Sequence, residues 1–264
     1  MNTPGVGKDK IHLGGTARSP DDVVALHELG LEFAEVPITN PDRFLSVIRE
    51  YALLKERLGL YYLCHGPREG DPNNTGTLER VYFPKVEKIL SIMPQLGMRT
   101  LTIHLWMDNR FVGKESIRYK IDLIGRLLKK ALKCGVTLCI ENLSENFVDL
   151  AGPFEALPGL NLTLDLGHAQ LLGPVNTSYG FIEKYPGRIK HIHLHDNIGG
   201  NSQDDDLHLP VGKGRIDFRR IIPGLREIGY RRTVTLELRP REIERCIGYV
   251  KRLFREAGYV TGME

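Results

Sequence analysis

The sequence predicts a single (β/α)₈ barrel on three observations. Short β-rich runs recur eight times, most connections between them are long enough for a helix, and glycine stops stand just before the strands. At 264 residues the chain falls in the range where such a barrel is one unit around one core.

The strands are expected at Ile11–Gly15, Leu31–Ile38, Leu60–His65, Thr100–Leu105, Val136–Glu141, Leu160–Leu166, Ile189–His195 and Thr233–Leu238. Between them, Asp21–Leu29, Asp42–Leu58, Glu79–Leu96, Glu115–Cys134 and Arg241–Glu256 carry apolar residues at helical spacing. The helices stop at Leu29-Gly30, Leu58-Gly59, Leu96-Gly97, Cys134-Gly135 and Ile228-Gly229, the αβ turn of a repeating unit. Pro153 and Pro158 interrupt the fifth crossover, so a short or broken helix is expected there. An open doubly wound sheet calls for a Gly-rich phosphate turn after the first strand, and Gly14-Gly15-Thr16 is not one. The domain is expected over residues 1–264, with tails at 1–9 and 258–264.

Hydrophobic residues at 41% and charged residues at 26% are globular values, and a net charge of +3 does not by itself announce nucleic acid. Cys64, Cys134, Cys139 and Cys246 form no CxxC pair, which points to a reducing compartment. Met1–Lys10 has no apolar signal core and no run could span a bilayer, so a soluble, cytoplasmic protein with no membrane partner is expected.

In such a barrel, chemistry sits at the C-terminal ends of the strands. Those ends carry His65, His104, Glu141-Asn142, Asp165 through His168, the alternating His191, His193 and His195, and Glu237. Alternation turns the three strand-7 histidines to one face. Convergent buried polar groups without a cation are costly, and a metal resolves that cost. Imidazole with carboxylate is the ligand mixture of Zn²⁺, Mn²⁺, Co²⁺ or Fe²⁺, and the lack of a Cys ligand argues against a purely structural zinc. Beyond strand 7, Asp204-Asp205-Asp206-Leu207-His208 adds a second cluster, in which Asp206 and His208 alternate like a ligand pair and Asp204 and Asp205 read as solvated. Glu35 is either a further polar contact or the partner of a nearby Arg.

In order, Cys64-His65-Gly66-Pro67, Ile103-His104, Ile140-Glu141-Asn142, Leu164 to His168, His191 to Asp196, Asp206 to Gly214 and Leu236-Glu237 resemble the xylose isomerase-like barrel superfamily over nearly the whole chain. That superfamily includes sugar and sugar-phosphate isomerases and epimerases and also endonuclease IV. The isomerase resemblance implies one divalent ion, Zn²⁺, Mn²⁺, Co²⁺ or Mg²⁺, held by Glu141, Asp165, His193 and Glu237. The endonuclease resemblance implies up to three zinc ions. His65, His104 and Glu141 hold the first, Glu141, Asp165, His193 and Glu237 the second, and His168, Asp206 and His208 the third.

The first two strand-to-helix connections, Gly15 to Pro20 and Thr39 to Asp42, are too short to grip a duplex, so nucleic acid is the less favoured partner and a small carbohydrate the expected one. Trp106 and Phe111 could wall a sugar or simply pack in their loop, and Lys213 or Arg215 could meet a phosphate or carboxylate. The expected reaction is isomerisation or epimerisation of a sugar, sugar phosphate or polyol-derived ketone through an enediolate. Glu141 and Glu237 exchange protons from opposite sides, and His168 orients a substrate oxygen. The rivals are metal-dependent phosphoester hydrolysis, as of abasic DNA, and a sensor that binds metal or sugar without needing acid/base carboxylates. Oligomeric state is not legible.

Overall fold

The computed structural model describes residues 9–262. Eight parallel strands close into a barrel: β1 (Lys10–Thr16), β2 (Phe33–Pro37), β3 (Tyr61–His65), β4 (Thr100–Ile103), β5 (Thr137–Glu141), β6 (Asn161–Asp165), β7 (Ile189–Leu194) and β8 (Thr233–Leu236). Each pairs with the next, β8 pairs with β1, and β1 with β2 completes the ring. The flanking helices are α1 (Pro20–Glu28), α2 (Pro41–Leu58), α3 (Phe83–Leu96), α4 (Lys114–Lys133), α5 (Ala151–Ala156), α6 (Ser178–Lys184), α7 (Phe218–Glu227) and α8 (Pro240–Glu256).

The glycine stops behave as their position requires. Gly59 and Gly97 end α2 and α3 at φ 70° and 68°, left-handed conformations that cost a side-chain-bearing residue energy. The fifth crossover contains only the six-residue α5, as the prolines predict. The expected helix over Glu79–Leu96 is instead a π-helical turn at Leu78–Tyr82 running into α3. Pro84 has no N–H to donate, which disrupts the regular ladder where the two pitches meet.

One expectation is corrected at the C-terminus. The sequence reads residues 258–264 as a tail, yet Tyr259 is buried and Val260–Thr261 form a ninth strand, β9, paired in parallel with Lys10–Ile11. Residues 1–8 and 263–264 lie outside the described residues.

Strand alternation sorts the side chains into two environments. Leu101, Ile103, Leu138, Ile140, Leu162, Leu164, Ile192 and Leu194 join the apolar core that includes Val86, Leu90, Leu123 and Leu127 of the helices. The alternate positions face the barrel interior, and here they are largely polar. The register aligns His65 with Thr102, Thr102 with Cys139, Glu141 with Thr163, Asp165 with His193 and His193 with Thr235. Thr102 and Thr163 satisfy each other across the interior at 2.8 Å. No helix among the described residues is long and apolar enough to cross a membrane. All four cysteines are free.

Candidate active site

The C-terminal mouth of the barrel opens into a cavity of about 620 Å³, a volume suited to a small ligand. Beneath its floor, Glu141 at the end of β5 gathers the histidines of its neighbours. Its Oε2 lies 2.7 Å from His104 Nε2 and 3.3 Å from His65 Nε2, and its Oε1 lies 2.9 Å from His193 Nδ1 and 3.4 Å from His168 Nδ1. Glu237, just beyond β8, approaches from the other side, with Oε1 3.5 Å from His193 Nδ1 and 3.8 Å from His65 Nε2. Beside this group, Asp206 Oδ2 lies 3.2 Å from His168 Nε2 and 3.1 Å from His208 Nε2.

Three of the rings are presented in one manner. The Nδ1–H groups of His65, His168 and His208 donate to the main-chain carbonyls of Gly66, Asn142 and Glu237 at 3.0, 3.1 and 3.1 Å. That donation fixes the tautomer and leaves each Nε2 aimed at carboxylates. Assembling it requires backbone work. His208 adopts φ 44°, a left-handed conformation rare for a residue with a side chain. Asn142 ties the ends of β5 and β6 together, donating Nδ2–H to Asp165 O and accepting Asp165 N–H at 2.9 and 2.8 Å.

Burial and charge oppose each other here. Burial works against a charged His65 and His208, but hydrogen bonds and neighbouring carboxylates outweigh it and push both up to about 9. Burial also disfavours the charged forms of His168 and His193, and again the carboxylates win and raise them. For His104 burial prevails and its pKa falls. Burial opposes ionisation of Glu141, Asp165 and Asp206 too, yet the surrounding imidazoles hold all three below the ordinary carboxylate range.

These residues fit a divalent ion. His65, Glu141, His193 and Glu237 each offer a ligand atom within 4.8 Å of the others, and so do His168, His195, Asp206 and His208. Further overlapping groups join Glu141 and His168, and His195 and Glu237, through Asp165. Asp165 Oδ2, Asp206 Oδ1 and His195 Nδ1 are buried without a hydrogen-bond partner. Orphaned nitrogen and oxygen donors concentrated at one mouth are the donor set of a borderline transition metal.

A family model described as a xylose isomerase-like TIM barrel matches residues 23–263. The chain belongs to that family. An uncharacterized protein of Methanocaldococcus jannaschii is 32% identical over 251 residues, 91% of this chain and 95% of that protein. Among solved structures, a D-tagatose 3-epimerase-like protein aligns with TM-score 0.79 at 18% identity, covering 93% of this chain and 98% of that one. The IOLI protein solved with a binding zinc atom aligns with TM-score 0.73 at 15% identity, covering 93% and 96%. At these identities the structural likeness shows the fold.

Within this xylose isomerase-like barrel the residues singled out in the sequence do not all converge. His104 meets Glu141 but is not among the groups of mutually close ligand atoms, whereas His195, absent from the ligand sets the resemblance implies, is. Trp106 does not line the cavity. It stacks on Phe111 with centroids 4.9 Å apart, and its indole N–H donates to Ser144 Oγ at 2.7 Å, so the pair packs its own loop. Lys213 and Arg215 also lie outside the lining, while Arg18, Arg68 and Arg239 form part of it. Glu35 pairs with no arginine. Its Oε2 accepts from His191 Nε2 at 3.2 Å and His193 Nε2 at 3.0 Å beneath the site.

Several supports escaped the sequence. Buried Lys120 donates to Trp106 O and pairs with Glu69, whose Oε1 accepts Trp106 N–H, so the chain just after His104 is clamped on both sides. Asp196 accepts N–H from Asn197 and Gly212 at 2.9 and 2.8 Å and pins the loop that carries Asp206 and His208. The acidic type at position 196, directly after a strand end, was the available signal.

Proposed function

We propose that the chain is a divalent-metal-dependent isomerase or epimerase of a carbonyl sugar or related polyol ketone, acting through an enediolate. What carries the reading is the approach of Glu141 and Glu237 to the same imidazole, His193, from strands on opposite sides of the mouth. Glu141, His193 and Glu237, with Asp165 alongside, would hold the ion, which when bound polarises a substrate carbonyl and offsets developing negative charge. Glu237 lines the cavity and reaches substrate directly, whereas Glu141 is buried behind His65, His104 and His168. Glu237 is therefore the base first placed to take the proton beside the carbonyl. Return of a proton to the opposite face falls to Glu141 or to a group that Glu141 polarises. His168, which also lines the cavity, orients a substrate oxygen through Nε2. The fold likeness to an epimerase-like protein and to a zinc-containing barrel supports the same reading.

The test is incubation of metal-loaded protein with ketoses, aldoses and inosose-like ketones in D₂O. Deuterium should enter one of them beside its carbonyl, and Glu237→Gln should abolish the exchange while the fold survives. Conversion without label would replace proton transfer by hydride shift. Phosphoester hydrolysis is the second reading, favoured by the additional group His168, His195, Asp206 and His208, since clustered ions serve that chemistry. More than one bound ion together with nicking of an abasic duplex would establish it in place of the first.

A further inference from the structure

The cavity is polarised. Its floor carries Asp206, Glu237 and the imidazoles of His65, His104, His168 and His208, while Arg18, Arg68 and Arg239 line it from the turns after β1, β3 and β8. Those strands belong to one contiguous arc of the ring, β8-β1-β2-β3. All three arginines are exposed. Elsewhere, Arg110, Arg126, Arg219, Arg226 and Arg231 pair with carboxylates, but among the described residues none of these three has such a partner. Of the acids near them in sequence, Glu242 lines the cavity with its Oε2 accepting the Arg239 main-chain N–H at 2.9 Å where α8 begins, Asp22 Oδ2 accepts the Arg18 main-chain N–H at 2.8 Å, and Glu69 beside Arg68 pairs with Lys120. Among the described residues, three guanidinium groups from separate turns thus border the cavity without a carboxylate in ion-pair contact.

We infer that this arginine rim is an anion subsite and that the substrate is a small phosphorylated sugar, its phosphate held by Arg18, Arg68 and Arg239 while its carbonyl end points to the floor. The inference rests on the isomerase reading for the carbonyl end and on the rim alone for the phosphate. A carboxylate would occupy one guanidinium fork. A phosphate, with charge near −2 and three acceptor oxygens, matches a rim of three. Thr16 and Thr39 on the same arc add hydroxyl donors.

Calorimetric titration of the full chain, metal-loaded and again after chelation, tests this with inorganic phosphate, fructose 6-phosphate and ribulose 5-phosphate against fructose and ribulose. Phosphate should bind, and at least one ester should bind about tenfold or more tighter than its parent sugar, the value of a charge-assisted hydrogen bond or two. Arg68→Ala and Arg239→Ala should each weaken the ester about tenfold and together abolish the preference, whereas Lys213→Ala with Arg215→Ala should leave it intact. Equal binding of esters and parent sugars, or an unchanged preference in the arginine double variant, overturns the inference. So does tighter binding of a twelve-nucleotide single strand than of any ester, which would assign the rim to a polynucleotide backbone. Ester binding that survives alongside absent D₂O exchange would defeat the isomerase reading and leave the rim standing.

Discussion

Gly167 lies between Asp165 and His168, and a methyl group there would fall on the ring of His195. A Cβ at this position would sit 2.0 Å from His195 Cε1 and 2.3 Å from each ring nitrogen. Carbon contacts relax to about 3.5–4.0 Å, so Gly167→Ala requires the ring or the turn to retreat by about 1.5 Å. The ring has little freedom. His195 is fully buried, stacks on His208 with centroids 3.9 Å apart, meets His168 edge-on and places Nε2 3.1 Å from Asp165 Oδ1. Overpacking of this kind costs about 1–3 kcal/mol, or about 2–12 °C in melting temperature for a chain of this size. Because the displaced ring belongs to the candidate ligand group, the stabilisation given by added Zn²⁺ or Mn²⁺ should shrink as well. Thermal melts with and without metal read both effects. Gly152→Ala is the control, since no atom lies within 4 Å of its Cβ and alanine suits its helix. A Gly167→Ala protein that melts with wild type and gains as much from metal would refute the packing reasoning and the place of His195 in the site.

Three other outcomes follow from the geometry. His65 and His208 have folded pKa values of about 9 against an ordinary 6.5. Their contribution to metal-free stability is therefore complete below 6.5 and lost as pH rises to about 9. Ions compete with those protons, so metal affinity should climb over the same window with proton release, and calorimetry in two buffers would detect a flat profile if this is wrong. Glu145 accepts main-chain N–H from Met107, Leu143 and Ser144 at 2.5, 2.7 and 3.1 Å. Glu145→Gln sets an amide N–H₂ against donors and should cost about 1–3 kcal/mol in urea unfolding, whereas an unchanged midpoint would deny those bonds any weight. Glu35→Gln should weaken metal about 10–100-fold in a chelator competition by loosening His193, and unaltered affinity would make Glu35 a packing residue only.

The strands and their polar ends were legible because both rest on local rules. Period-two alternation places His191, His193 and His195 on one face wherever the strand lies, and Leu-Gly pairs mark helix ends without tertiary information. The role of Glu35 was not legible, because its partners stand 156 and 158 residues away and closure of the ring alone brings them together. Arg18, Arg68 and Arg239 were missed for the opposite reason. An exposed arginine in a turn reads like any solvated cation, and only the shared cavity distinguishes these. Lys213 and Arg215 lie outside the cavity lining, and the glycines beside them have another role. In the structure, Gly212 N–H is spent on Asp196, and a Cβ at Gly214 would meet Asp196 Oδ1 at 2.3 Å. Those glycines therefore serve a close main-chain approach to a buried carboxylate.

The height of each group along the barrel axis gives the polar interior its meaning. At the level of His191, Nδ1 meets Thr233 Oγ1 at 2.7 Å, Nε2 meets Thr235 Oγ1 at 3.0 Å, and Glu35 is adjacent, so this ring is satisfied within the protein. One step up, His193 divides its nitrogens between Glu35 below and Glu141 at the mouth. A further step up, His195 has only the 3.1 Å contact of Nε2 with Asp165 Oδ1, and its Nδ1 has no partner. Residue type is the same at all three positions, two on β7 and one just beyond it, and burial is complete at each. What changes is how far the protein itself satisfies the ring. Burying an unsatisfied imidazole costs free energy that folding alone does not recover. The gradient from fully to partly satisfied along β7 and the residue after it runs toward the candidate ligand groups, above a hydrogen-bonded layer that keeps those side chains in place.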